Sequence, residues 1–203
     1  MKGGLGMLAV FVLGLVLGRA GLFAGAASGH ALDLALGLML FLAGMGMGFD
    51  VRAFLVVRQL GLRVLLLPLS IIAGSALGGL CAWLALPLWG MGLELTEVLG
   101  VGAGFGYYSL SSVLIGQLHS QALGSVALIA NISRELLTLL AAPVLVRLLG
   151  GLAPVATGGA ASMDTCLPVI ARHAGEQYAI MGVLSGMALT LAVPLLVTGI
   201  FHP

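Results

Sequence analysis

The sequence predicts an all-α polytopic membrane protein with about seven transmembrane segments, two of them discontinuous or re-entrant. Three observations lead there. The 203 residues include only eight basic and seven acidic side chains, 7% of the chain, where a soluble domain carries about 25%. Apolar types make up 61%, with 32 glycines besides, and the mean hydropathy is +1.21. The apolar residues fall in long runs separated by short polar stretches. So few charges cannot cover a water-facing surface, which argues against a soluble enzyme. Disorder is excluded as well, because it requires low hydrophobicity and high charge. A membrane span takes about 20 apolar residues, so seven use about 140 and leave roughly 63 for loops and termini. One integral membrane domain over 1–203 is expected, with no room for a soluble one.

The first run, near 4–18, follows Lys2 and precedes the small residues Ala24 to Ser28. That pattern also fits a signal peptide, but everything downstream is equally membranous, so it is read as a first membrane helix. The remaining segments lie near 31–49, 64–89, 98–116, 122–146, 152–170 and 178–200. The pairs Gly14/Gly18, Gly44/Gly48, Gly74/Gly78 and Gly182/Gly186 have the spacing that lets helix backbones approach closely. Arg52, Arg58 and Arg63 between the second and third segments set that loop in the cytoplasm. With seven complete crossings the N-terminus is inside and the C-terminus outside. Lys2 and Arg172 then also fall inside, and Arg19, Arg147, Glu94 and Glu97 outside. Asp33 and Asp50 border the second segment and are read as interfacial; Met39, Met45 and Met47 are read as packing residues.

Polar residues inside the apolar runs are the candidate functional groups. Arg134 sits near the middle of the fifth segment, where a cation costs about 2.5–3.5 kcal/mol on the insertion scale. Asn131, Arg134, Glu135 and Thr138 fall at i, i+3, i+4 and i+7 and share one helix face. That face must look into protein or a wet cavity. Glu135 lies about 100° around the helix from Arg134, so a group on another helix is expected to complete the neutralisation. A buried polar clamp and a functional site are both open here.

The sixth segment contains Thr157-Gly-Gly-Ala-Ala-Ser-Met-Asp164-Thr-Cys-Leu-Pro168. Gly158 and Gly159 weaken a helix and Pro168 removes a backbone donor, so a broken helix is expected. Exposed backbone at membrane depth is tolerated only where it is buried in protein or lines a cavity. Asp164 at such a break is a candidate cation or proton site, because burial favours its neutral form and a neighbouring cation its charged form. The alternative is a helix cap built from Asp164, Ser162 and Thr165. The fourth segment, Gly102-Ala-Gly-Phe-Gly-Tyr-Tyr-Ser-Leu-Ser-Ser112, again mixes glycines and hydroxyls. No strand precedes Gly104 and Gly106, so this is not a nucleotide fingerprint. A second break is expected, with Tyr108, Ser109 and Ser112 lining a polar route or bonding back to their own helix. Two interrupted segments point to a transporter. Inverted repeats need the two breaks to run in opposite directions, which seven complete crossings do not supply; either one segment re-enters or the symmetry partner lies in another chain.

Other classes recede. The net charge of +1 gives no footprint for nucleic acid. Cys81 and Cys166 read as packing residues rather than a disulfide framework. No His-Glu-x-x-His is present. No cofactor, metal site or enzymatic activity is expected.

Three motifs, Gly104-Phe-Gly-Tyr-Tyr-Ser-Leu-Ser111, Asn131-Ile-Ser-Arg134-Glu135 and Gly159-Ala-Ala-Ser-Met-Asp164 followed by Leu167-Pro168, together resemble the lysine exporter LysO family. Leu40-Phe-Leu-Ala-Gly-Met-Gly adds to this more weakly. The resemblance covers essentially the whole chain and implies an inner-membrane exporter of L-lysine and its toxic analogues, working by proton antiport. It also implies that Asp164 is tied to transport and that Asn131, Arg134 and Glu135 belong to the family's polar set. Longer relatives carry a further N-terminal hydrophobic portion, so a homodimer or a small companion membrane subunit is an expected partner. The mechanism expected is exchange of a proton for a basic amino acid at Asp164, with half-helix N-termini facing the substrate's carboxylate. A passive channel, or a subunit that needs a second chain, are the alternatives.

Overall fold

The computed structural model describes residues 65–201 together with Leu34, Leu38, Phe41 and Met45. The first predicted segment, most of the second, and the loop with Arg52, Arg58 and Arg63 lie outside the described residues, as do Lys2, Arg19, Asp33 and Asp50. The chain divides into two units, Met1–Phe49 and Asp50–Pro203. In the first, the four described residues are helical and exposed. Their spacing puts these apolar side chains on one helix face.

All regular structure among the described residues of the second unit is helical. Helix α1, Leu66–Ala85, continues as a 3-10 turn over Leu86–Trp89, and Gly90 at φ 73° ends it in the left-handed region. Helix α2 spans Leu95–Gly102 and opens on a capping box in which Glu94 and Glu97 satisfy each other's backbone N–H groups. Helix α3 spans Tyr108–Leu118. Helix α4, Gln121–Leu149, has 29 residues, and the Ser120 hydroxyl caps it by accepting the Leu123 N–H. Helix α5, Ala153–Gly158, runs into a 3-10 turn over Gly159–Met163. Helix α6 is Leu167–His173 and helix α7 is Glu176–Phe201.

The fourth and sixth predicted segments are thus each two short helices around a non-helical tip, as their glycines and polar residues foretold. Neither crosses. At the mouth of the first, His119 Nε2 lies 2.8 Å from Glu97 Oε1, so α2 begins where α3 ends. The His119 ring also stacks on Phe201 at the last residue of α7, with centroids 5.1 Å apart. At the mouth of the second, Gly151 packs against the ring of Tyr178, in the first turn of α7. Helix α7, 26 residues long, extends about 39 Å. The two hairpins, over 94–119 and 151–175, therefore enter from opposite ends of α7. Each is followed by a long helix, α4 or α7, so hairpin-plus-helix occurs twice with inverted direction. The opposite directions that inverted repeats require are supplied within this chain, by both segments turning back and not one.

Both segments turn back, the re-entrant form of the two expected, and the described residues do not confirm a count of seven crossings. Among the described helices, two are long and apolar enough to cross a membrane, α1 with its terminal turn and α7. Helix α4 is longer than either but carries Asn131, Arg134 and Glu135 at its centre. The turn back also brings together two cations that seven complete crossings would separate, Arg147 and Arg172. Arg147 ends α4 at the mouth of the second hairpin, the same end of the bundle as Arg172 in the last turn of α6.

The two tips meet at mid-height. The Ala160 N–H donates to Phe105 O at 2.8 Å. A Cβ on Gly106 would sit 2.6 Å from Gly158 O, and one on Gly159 would overlap Phe105 O. Both glycines also hold positive φ, 90° and 59°, so glycine is required twice over. Phe105 itself lies at φ 45°. Gly182 and Gly186 of α7 receive the second tip, with Ser162 O and Met163 against them, as close backbone approach predicts. Gly74 and Gly78 of α1 have nothing within 4 Å, so the same spacing there makes no described contact. Val155, Ala161, Cys166, Ile170 and Ala179 form a buried cluster, with Leu67, Leu139 and Tyr178 against it. Cys166 packs there as expected; Cys81 is exposed and joins no such cluster among the described residues.

Candidate functional site

A pocket of about 100 Å³ opens beside the meeting tips. The first hairpin contributes Gly106, Tyr107, Tyr108 and Ser109 to it. The second contributes Ala160, Ala161, Met163, Asp164 and Thr165, and Glu135 enters from the middle of α4. Asp164 follows the 3-10 turn, and its Oδ1 accepts from the Thr165 N–H at 2.5 Å and the Thr165 hydroxyl at 3.2 Å. Neither bond caps a helix: both go to the neighbouring residue, and α6 has Cys166 at its N-cap with no side-chain cap bond, so the cap reading of Asp164, Ser162 and Thr165 is not what the structure shows. The carboxylate is exposed rather than sheltered among the described residues, because it sits on the open side of the tip, facing the pocket.

Glu135 is the opposite case. It is 9% exposed, and its Oε2 has no hydrogen-bond partner among the described residues. An unpartnered buried carboxyl oxygen calls for a ligand, a proton or a water. Two acids from two elements thus share one pocket.

The rest of the α4 face holds the hairpins. Asn131 Oδ1 accepts the Gly106 N–H at 2.7 Å, while its Nδ2 donates to Val101 O at 3.2 Å and Ala127 O at 2.9 Å. Gly104 leaves the room, since a Cβ there would meet Asn131 Nδ2 at 2.5 Å. Arg134 turns to the other side. Its Nε donates to Thr157 O at 2.7 Å, Nη2 to Ala156 O at 3.0 Å and Nη1 to the Ser75 hydroxyl at 2.9 Å. Among the described residues no carboxylate pairs with it. The expected neutralising group is instead the carbonyl end of α5, where a helix leaves acceptors free and its dipole is negative. Arg134 borders a separate cavity of about 360 Å³ with Ser75, Leu137 and Thr157. Neither Asn131 nor Arg134 lines the acidic pocket.

Several predicted residues have local roles. The Ser162 hydroxyl donates to Val155 O at 2.9 Å, tying the tip to α5. The Ser112 hydroxyl bonds back to Ser109 O of its own helix at 3.4 Å. Pro168 lies in the first turn of α6 and starts that helix rather than kinking one, because the missing N–H falls where a helix has no partner for it. Gly158 lies under the Ser162 hydroxyl. Tyr107, which sequence reasoning passed over for its neighbour Tyr108, lines the pocket; its only signal is adjacency to the glycine tip. The pair of Glu97 and His119 was also missed, since 22 residues separate them. The Glu94 N–H and His119 hold the Glu97 carboxyl below its usual range, against partial burial. No cluster of three or more metal-ligating residues occurs among the described residues.

The family described as "Lysine exporter LysO" matches residues 8–201. The chain is 30% identical over 191 residues to the "Lysine exporter LysO" of Escherichia coli (strain K12), covering 93% of this chain and 60% of that protein. It is 33% identical over 106 residues to a "Putative lysine exporter" of Haemophilus influenzae (strain ATCC 51907 / DSM 11121 / KW20 / Rd), covering 52% of this chain and 54% of that one. The match thus spans about three fifths of the length of the first relative and about half of the second. No solved structure matches the chain.

Proposed function

The chain belongs to the lysine exporter LysO family, and from that premise we propose that it exports L-lysine or a related basic amino acid by proton antiport, with Asp164 carrying the exchange and Glu135 as the second acid. The family is one of membrane transporters, not enzymes. The observation that carries the reading is the pocket in which both carboxylates lie, beside the contact of two oppositely directed hairpins. An ammonium group of the substrate replaces the proton on the acids when the pocket faces the cytoplasm. Outside, a proton displaces the substrate and returns inward. One acid on a hairpin tip and one on a long helix can separate when the tip moves, which couples occupancy to access.

Re-entry supports the expected inner-membrane topology, with the N-terminus inside and the C-terminus outside. Helix α1 starts beside the mouth of the second hairpin, since Leu67 packs on its core. With that end cytoplasmic, Lys2, Arg52, Arg58, Arg63, Arg147 and Arg172 all fall inside and Arg19 alone outside. This asymmetry is stronger than seven crossings give. Glu94 and Glu97 then face outward. In this reading the two units act as one transporter domain over 1–203, as a homodimer or with a companion membrane subunit.

Counterflow and pH-gradient-driven uptake of radiolabelled lysine in vesicles containing the protein test the mechanism. Asp164→Asn is expected to abolish gradient-driven transport while the protein still elutes as a folded species. Full gradient-driven transport by that variant would sink the scheme. Lysine flux that ignores the pH gradient in the unsubstituted protein would make it a passive channel.

A further inference from the structure

We infer that the start of α3 is the subsite for the substrate's α-carboxylate, so that the pocket reads a zwitterionic amino-acid head and not merely a cation. The inference rests on the basic amino-acid reading above and assigns the anionic half of the ligand.

Helix α3 has 11 residues and no side-chain cap at Tyr107. Its first backbone N–H to bond back is that of Ser111, to Tyr107 O at 3.1 Å. The N–H groups of Tyr108 and Ser109 have no hydrogen-bond partner among the described residues, and both residues line the pocket. Unpaired first-turn amides carry roughly half a positive charge. They attract carboxylates in particular because two N–H groups can point at one anion.

The independent observation is Glu135. Its side chain is nine-tenths buried in the same pocket, with Oε2 unpartnered, and Asp164 lies beside it. A ligand that is only anionic would meet two carboxylates. A ligand that is only cationic would leave the α3 amides, on half-buried Tyr108 and exposed Ser109, without a partner from the ligand. An amino acid carries both charges on one carbon and satisfies both walls. The Ser109 hydroxyl adds a donor on the carboxylate side.

The test is competition against radiolabelled lysine counterflow in vesicles containing the protein. Unlabelled lysine, lysinamide and 1,5-diaminopentane are compared; the last two keep the cationic side chain and lack the carboxylate. Lysinamide and 1,5-diaminopentane are expected to compete about tenfold or more weakly than lysine, the worth of one or two hydrogen bonds to a charged group. Tyr108→Pro removes one first-turn N–H where a helix tolerates proline. It is expected to raise half-saturation for lysine and narrow the lysine-to-lysinamide ratio, while Tyr108→Phe, which keeps the N–H, preserves the ratio. Equal competition by lysine and lysinamide in the unsubstituted protein overturns the carboxylate subsite and leaves the basic-substrate reading standing. Absence of any lysine counterflow overturns both. The unsubstituted protein decides the matter even if Tyr108→Pro does not fold.

Discussion

The first hairpin turns over at Ala103–Tyr107 without a charged side chain, and its tip is buried and pinned by Asn131. The second turns over at Gly159–Cys166 with Asp164 and Thr165 exposed, and its α5 arm is clasped by Arg134. Both follow one plan: two short helices, a glycine tip and a long helix behind. They differ in what the tip offers. One presents backbone donors in a fixed frame, and the other presents an acid on an open edge. Inverted copies of one architecture can thus divide binding between them, with the chemistry of each half set by a few tip residues.

The sharpest way to break this comparison is to remove the charge from the second tip, since Asp164→Asn is expected to abolish coupled transport while Ser112→Ala, on the first hairpin, leaves it near the parent rate. Next in size are the two clasps. Arg134→Met leaves Ala156 O and Thr157 O without their donor, and Asn131→Ala frees Gly106 N–H and Val101 O. A fully buried orphaned group costs about 1–3 kcal/mol; Gly106 is buried and Val101, Ala156 and Thr157 half-buried, so both variants should melt below the parent in detergent. Only the first should loosen the second hairpin, as read by labelling of a cysteine placed at Thr165. Equal labelling in both variants would mean that the hairpins are held as one body.

A smaller effect separates two glycine pairs. Gly186→Val forces a side chain against Met163 and Ala160 O and should lower stability by about 1–3 kcal/mol. Gly74→Val, in open space, should stay within about 0.5 kcal/mol. The smallest concerns the mouth of the first hairpin. The Glu97 carboxyl is held below its ordinary value by the Glu94 N–H and His119. A lowered folded-state pKa means stabilisation fully present above the unfolded value and lost as pH falls through the folded one. Glu97→Gln should therefore melt slightly below the parent at neutral pH, and the two curves should converge under acid conditions. A gap that persists at low pH would remove the electrostatic account.

The breaks were legible because glycine, proline and hydroxyl residues interrupt apolar runs at Gly104–Ser112 and Gly158–Pro168. The shared face of Asn131, Glu135 and Thr138 was legible from helical period, and all three are buried. Re-entry was not. Hydropathy measures how apolar twenty residues are, and a run that turns halfway scores the same as one that crosses. The partners of Arg134 were illegible for a related reason: they are main-chain carbonyls, which every residue has and no composition reveals. The direction in which Arg134 and Glu135 part, one toward α5 and one toward the pocket, depends on neighbours that only the folded chain supplies.

The brevity of the hairpin arms governs how the molecule can be built. Arms of six and seven residues, α5 and α6, are too short to be stable alone. Lipid would leave their tip amides without partners. The second hairpin therefore holds its shape through what receives it, Gly182 and Gly186 of α7 and the Arg134 clasp on α5. Asp164, carried on that hairpin, is therefore only as firmly placed as those contacts make it.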